Sequence, residues 1–153
     1  MFGRLFVASL LLCLMACAKP KYETVIQAQP EGDGKVEKVS ECQTRFLNSG
    51  YCVLWAWEKR PTTTEKGVFR FKIVRPNLLD DSAIPVDFEK DPAVVLWMPD
   101  MGHSSSPTKV ERIDQGSYRV SNVFFIMPGQ WQIRFQILNG NRGQDEAVVD
   151  YTF

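Results

Sequence analysis

The segment Trp131-Gln132-Ile133-Arg134-Phe135-Gln136-Ile137-Leu138 sets polar Gln132, Arg134 and Gln136 between apolar Trp131, Ile133, Phe135 and Ile137. Successive side chains of an extended chain point to opposite faces, so this alternation puts one face in a core and the other in water. The segment reads as a half-buried β-strand. Gly67 to Arg75 alternates apolar and basic residues in the same way, and residues 51–57 are rich in aromatic and branched side chains. Further strands are expected at 93–98, 109–113, 118–126 and 147–153. Turn chemistry separates them at Arg60-Pro61, Arg75-Pro76-Asn77, Asp114-Gln115-Gly116, Pro128-Gly129 and Asn139-Gly140-Asn141. About seven short antiparallel strands with no long helix predict an all-β, immunoglobulin-like sandwich. Ser40 offers an N-cap, so residues 41–47 are expected to form one or two helical turns before Asn48-Ser49-Gly50; an early strand is the competing reading. Most of Trp55, Trp57, Trp97 and Trp131 are expected to be packing residues.

The N-terminus carries a different signal. Arg4 precedes an apolar run from Leu5 to Met15, followed by Ala16 and Cys17. That run is too short for a permanent bilayer span and reads as a secretory signal. Leu14-Met15-Ala16-Cys17 resembles the lipobox of bacterial lipoproteins. The resemblance implies cleavage after residue 16 and lipid on Cys17, with several acyl chains holding the protein to a membrane more firmly than one. Ala18 stands where an aspartate would mark inner-membrane retention in many Gram-negative bacteria. The outer membrane, facing the periplasm, is therefore the expected location. Residues 17–39 are polar, contain Pro and Gly, and read as a flexible tether to a domain spanning 40–153.

Charge and cysteine usage narrow the classes further. Lys plus Arg number 18 and Asp plus Glu 18, so the formal net charge is zero. No basic surplus exists to neutralise phosphates, and nucleic-acid binding loses its main driving force. Cys13 leaves with the signal and Cys17 takes lipid, which places Cys42 and Cys52 in an oxidising compartment. A disulfide between them is expected, stabilising by about 2–3 kcal/mol. A two-thiol metal site and two free thiols are the alternatives.

The stretch Trp97-Met98-Pro99-Asp100-Met101-Gly102-His103-Ser104-Ser105-Ser106 contains the single histidine and two of the five methionines. Thioethers are soft, uncharged ligands that suit Cu(I) far better than Zn(II), Mg(II) or Ca(II), and imidazole also accepts copper. Pro99 ends ladder pairing and Gly102 permits a tight turn, so the loop can draw Met98, Met101 and His103 together. Met127, expected at the end of another strand, is the fourth candidate ligand, with Trp97 or Trp131 as a shield from water.

Here the blocks Trp97 to His103, Gly116-Ser117-Tyr118, Phe125-Ile126-Met127-Pro128-Gly129 and Trp131-Gln132-Ile133-Arg134 resemble the YtkA-like/FixH-like group of exported β-sandwich domains. That group shows an MPxMGH loop, a G-x-Y strand start and a strand ending M-x-G-x-W. The resemblance covers roughly Gly67 to Phe153. The Cys42 to Cys52 segment with Trp55 and Trp57 also resembles a front portion found in some lipoproteins of this kind. FixH-like members are membrane proteins associated with copper handling during assembly of a terminal oxidase. This chain departs from them by having no transmembrane helix, so the oxidase connection does not carry over. YtkA-like domains are largely without assigned activity. The resemblance implies the fold, and copper only by association.

The competing reading is metal-free. Met98 then finishes a core strand, as strand-end methionines commonly do, His103 is a solvated turn residue, and Met127 packs beneath Trp131. The protein would be a lipid-tethered adaptor for another envelope protein. Catalysis has little support: Ser104, Ser105 and Ser106 adjoin His103, but there is no G-x-S-x-G elbow, phosphate loop, HExxH or paired-carboxylate signature. The expectation is a non-enzyme.

Overall fold

A computed structural model describes residues 42–80, 82–138 and 144–153. The signal, Cys17 and the tether expected at the N-terminus lie outside the described residues. Ten strands follow in order: β1 Thr44–Arg45, β2 Cys52–Lys59, β3 Gly67–Pro76, β4 Ala83–Pro85, β5 Ala93–Met98, β6 His103–Ser104, β7 Lys109–Asp114, β8 Ser117–Val123, β9 Gln130–Leu138 and β10 Gln144–Thr152. Seven of them (β2, β3, β5, β7, β8, β9 and β10) correspond to the seven strands expected from the sequence. They form two antiparallel sheets. One runs β1-β2-β3-β8-β7 with β4 also on β3, and the other runs β10-β9-β5-β6.

Alternation decides which side chains meet between the sheets. Phe69, Phe71 and Ile73 of β3 and Tyr118 and Val120 of β8 face Val94, Leu96 and Met98 of β5 and Trp131, Ile133, Phe135 and Ile137 of β9; all are buried. The Phe135 ring lies 5.0 Å from Phe71 and 6.1 Å from Phe69, so it ties the second sheet to the first. Cutting such a ring back to alanine costs about 3–5 kcal/mol. Trp131 is wholly in the core, Trp55 and Trp57 pack half-buried against it, and Trp97 faces outward.

Two local expectations are corrected. Residues 41–47 do not form helical turns where they are described. Thr44 and Arg45 pair with Val53 and Cys52 instead. Tertiary contacts override the weak local preference: Phe46 is buried, Thr44 Oγ1 donates to Val148 O at 2.8 Å, and the Cys42–Cys52 disulfide closes the hairpin. The strand expected to run to residue 126 stops at Val123. Asn122 adopts φ 62° where the register shifts, Val123 makes the last pair with Gly67, and Phe124 O is taken by the Ser105 hydroxyl rather than by a neighbouring strand. Met127 therefore lies in a connecting loop and not at a strand end.

The register fixes two ends of the sandwich. Cys52 pairs with Val74, so the turns beside them, residues 46–51 and 77–80, share one end. Asp145 at the start of β10 joins that end by accepting the N–H groups of Asn48 and Ser49. The loop from Pro99 to Gly102 and the connection at 124–129 lie at the other.

Candidate functional site

The Met/His loop is built by ordinary backbone rules. β5 ends at Met98, and Pro99 to Met101 make a single 3-10 turn. Gly102 then takes φ 65° and donates its N–H to Met98 O at 2.9 Å, a left-handed position that suits glycine. The chain returns so that Met98 pairs with His103 and Trp97 with Ser104. His103 consequently shares the inner face with Met98, while Ser104 shares the outer face with Trp97.

This pairing extends into a row across the sheet. The β5–β9 register runs to Trp97 against Gln132, which sets Trp131 beside Met98, and Trp131 in turn pairs with Tyr151. His103, Met98, Trp131 and Tyr151 thus occupy adjacent positions on one inner face. The rings of His103 and Trp131 lie 6.2 Å apart and nearly perpendicular, although β5 runs between their strands. Phe125 roofs the row, 5.2 Å from Trp131 and stacked on Tyr151 at 5.0 Å.

The 124–129 connection closes onto the same place. Trp131 Nε1 donates to Met127 O at 3.0 Å. Gly129 exchanges two backbone hydrogen bonds with Phe153, at 2.9 and 3.0 Å, and the Met98 methyl group rests on its Cα. The four candidate ligands differ in depth. Met98 is 4 % exposed, His103 is half-buried, Met127 is 36 % exposed and Met101 is 60 % exposed. The fold draws Met98 and His103 together, brings the backbone of Met127 to the Trp131 indole, and leaves Met101 on the outer lip.

Other readings of the stretch fall away. Trp97 is not at the site: it carries the Arg134 guanidinium over its ring at 5.1 Å on the outer face. Ser105 is a structural stitch whose N–H reaches Leu96 O at 2.9 Å and whose hydroxyl reaches Phe124 O. Cys42 and Cys52 form the expected disulfide, with Cα atoms 5.6 Å apart, so neither thiol is free for metal. Among the described residues, no group of three or more His, Cys, Asp or Glu side chains could hold a metal ion. A hard-ligand cage is not what this region offers; the soft donors remain.

One buried charge had no signal in the sequence. Asp145 is 2 % exposed, and its carboxylate accepts the N–H groups of Asn48 and Glu146 at 2.9 Å and of Ser49 at 2.8 Å. Burial pushes its pKa up, but these hydrogen bonds outweigh burial and hold it below the ordinary aspartate value. It braces the end of the sandwich opposite the Met/His loop.

No curated protein and no solved structure shows significant similarity to the chain. A family model described as YtkA-like matches residues 58–136, from the end of β2 through most of β9. That span takes in Met98, Met101, His103, Met127 and Trp131; it begins ahead of the Gly67 start suggested by the motifs and stops at residue 136, short of the Phe153 end they suggested. The chain belongs to the YtkA-like family.

Proposed function

We propose that this protein is an exported binding protein of the bacterial envelope, not an enzyme. It is anchored by lipid on Cys17, faces the periplasm from the outer membrane, and holds Cu(I) at the Met/His loop. The observation that carries the metal reading is the inner-face pairing of Met98 with His103, roofed by Trp131 and the turn that bears Met127. Thioether and imidazole donors match the preference of Cu(I), and their lack of charge gives hard, strongly hydrated ions little in exchange for their water. Met98 and His103 would form the inner part of the site and Met127 its flank. Met101, at 60 % exposure, would be the first group to meet incoming metal. Trp131, 1 % exposed, keeps bulk water from the inner side.

The export reading draws on the lipobox-like Leu14 to Cys17 and on the disulfide, a bond that persists in oxidising compartments. Mass spectrometry of the membrane-extracted chain should find diacylglycerol on Cys17, and an unmodified N-terminus elsewhere sinks that assignment. Parallel titrations with Cu(I), Zn(II) and Ca(II) test the metal. Binding of Cu(I) alone is expected; equal or preferential binding of Zn(II) defeats the reading. A metal-free adaptor is the competing function, favoured by the exposure of Met101 at 60 %.

A further inference from the structure

Three leucines at the end of the sandwich opposite the Met/His loop have almost no protein cover. Leu78 and Leu79 are 93 % and 92 % exposed at the tip of the turn between β3 and β4, and Leu47 is 83 % exposed in the turn between β1 and β2. Cys52 pairs with Val74, which puts both turns at one end of the same sheet. Leaving adjacent leucines in water is unfavourable, and contiguous exposed apolar groups mark a contact surface.

We infer that this end rests on the bilayer, with Leu78, Leu79 and Leu47 inserted into its interfacial region and the Met/His loop pointing away from the membrane. The inference rests on the lipid-anchor reading, because a lipid on Cys17 confines the domain to the membrane and makes a weak second contact effectively intramolecular. Three features favour a bilayer over a protein partner. A narrow two-leucine tip is far smaller than the roughly 800 Å² per partner of a stable protein interface, whereas a fluid interface needs no matching shape. The turn also satisfies several of its own donors. Asn77 N donates to Ser82 O at 2.8 Å, Leu79 N to Asn77 Oδ1 at 3.2 Å, and Ser82 N to Asp80 Oδ1 at 3.0 Å. Few donors would be stranded when the tip leaves water. Arg45 and Arg75 are exposed just behind the leucine turns, at the level where lipid phosphates would lie. Asp80, exposed and tied to Ser82, limits the insertion to the leucine side chains.

The test uses the full mature chain, extracted with its lipid and reconstituted in vesicles of phosphatidylethanolamine and phosphatidylglycerol. A polarity-sensitive fluorophore is placed by Leu79→Cys, and in a second protein by Asp100→Cys at the opposite end. Some vesicles carry lipid spin-labelled in the upper acyl chain as a quencher. The expected result is strong quenching at position 79, none at position 100, and a several-fold loss of quenching at 79 when Leu78→Ser and Leu47→Ser are added. These exposed positions leave the core untouched. If the protein floats with the vesicles but position 79 stays unquenched, or both positions are quenched alike, the inference is overturned and the anchor stands. If the protein does not float with vesicles, the anchor reading fails and takes the inference with it. Protection of position 79 that depends on protein concentration in detergent without vesicles assigns the leucines to a second copy and overturns the bilayer contact.

Discussion

The Met98 methyl group lies against Gly129 so closely that a Cβ at Gly129 would sit 2.5 Å from Met98 Cε. The contact couples the end of β5 to the turn that bears Met127. Gly129 also adopts φ 146°, a conformation that side chains disfavour.

Gly129→Ala should therefore destabilise the domain by about 1–3 kcal/mol through combined crowding and backbone strain. Each kcal/mol should lower the Tm by roughly 4 °C. Adding Met98→Ala removes the clashing methyl, so a double-mutant cycle should show a coupling of at least about 0.5 kcal/mol. Strict additivity of the two substitutions would mean that the residues are independent, contrary to this packing.

Asp145 makes the fold sensitive to acid in a defined direction. Its folded-state pKa is held below the ordinary aspartate value near 3.9, so the ionised form is favoured by folding. The stabilisation is fully present above the unfolded-state value and is lost as pH falls through the folded-state one. Asp145→Ala should cost about 2–3 kcal/mol at pH 7, since it also strips partners from the N–H groups of Asn48, Ser49 and Glu146. Urea unfolding at pH 7 and near pH 3 should show the gap between wild type and variant narrowing in acid. A gap that stays constant would assign the cost to packing and not to charge.

Tyr118 supplies a contrast. Its ring is fully buried and stacked 5.0 Å from Phe71, yet its hydroxyl has no hydrogen-bond partner among the described residues. Burial raises its pKa despite the Arg112 guanidinium 5.6 Å from the ring, so it stays neutral at physiological pH. Tyr118→Phe removes an unsatisfied polar group while preserving the stack, and should be neutral or stabilising by up to about 1 kcal/mol in denaturant titration. A clear loss of stability would reveal a partner for the hydroxyl.

The seven long strands were legible because alternation is a local property: Phe69, Phe71 and Ile73, or Ile133, Phe135 and Ile137, announce an inner face without reference to any partner. β1 was legible only as the reading that competed with a helical turn, since Thr44 and Arg45 are held in that hairpin by Phe46, the disulfide and Asp145. β4 and β6 are too short to carry a period. At the candidate site, sequence could name Met98, Met101, His103 and Met127, and Pro99 and Gly102 announced the tight turn. It could not say which tryptophan joins them, because Trp97 and Trp131 differ only in which way their strands face. Nor could it rank the methionines by depth, which depends on a 3-10 turn that carries Met101 outward.

The metal reading is tested most directly by a competitive Cu(I) titration of the wild type against Met98→Leu/Met101→Leu, with His103→Ala alongside. Leucine keeps the apolar bulk and should cost less than about 1.5 kcal/mol of stability at each position, so the variant stays folded while two sulfurs are lost. Cu(I) affinity is expected to fall at least tenfold in the double-leucine protein, and His103→Ala is expected to lose binding as well. A folded double-leucine protein that retains wild-type Cu(I) affinity would contradict the metal reading, and the loop would then be a structural turn.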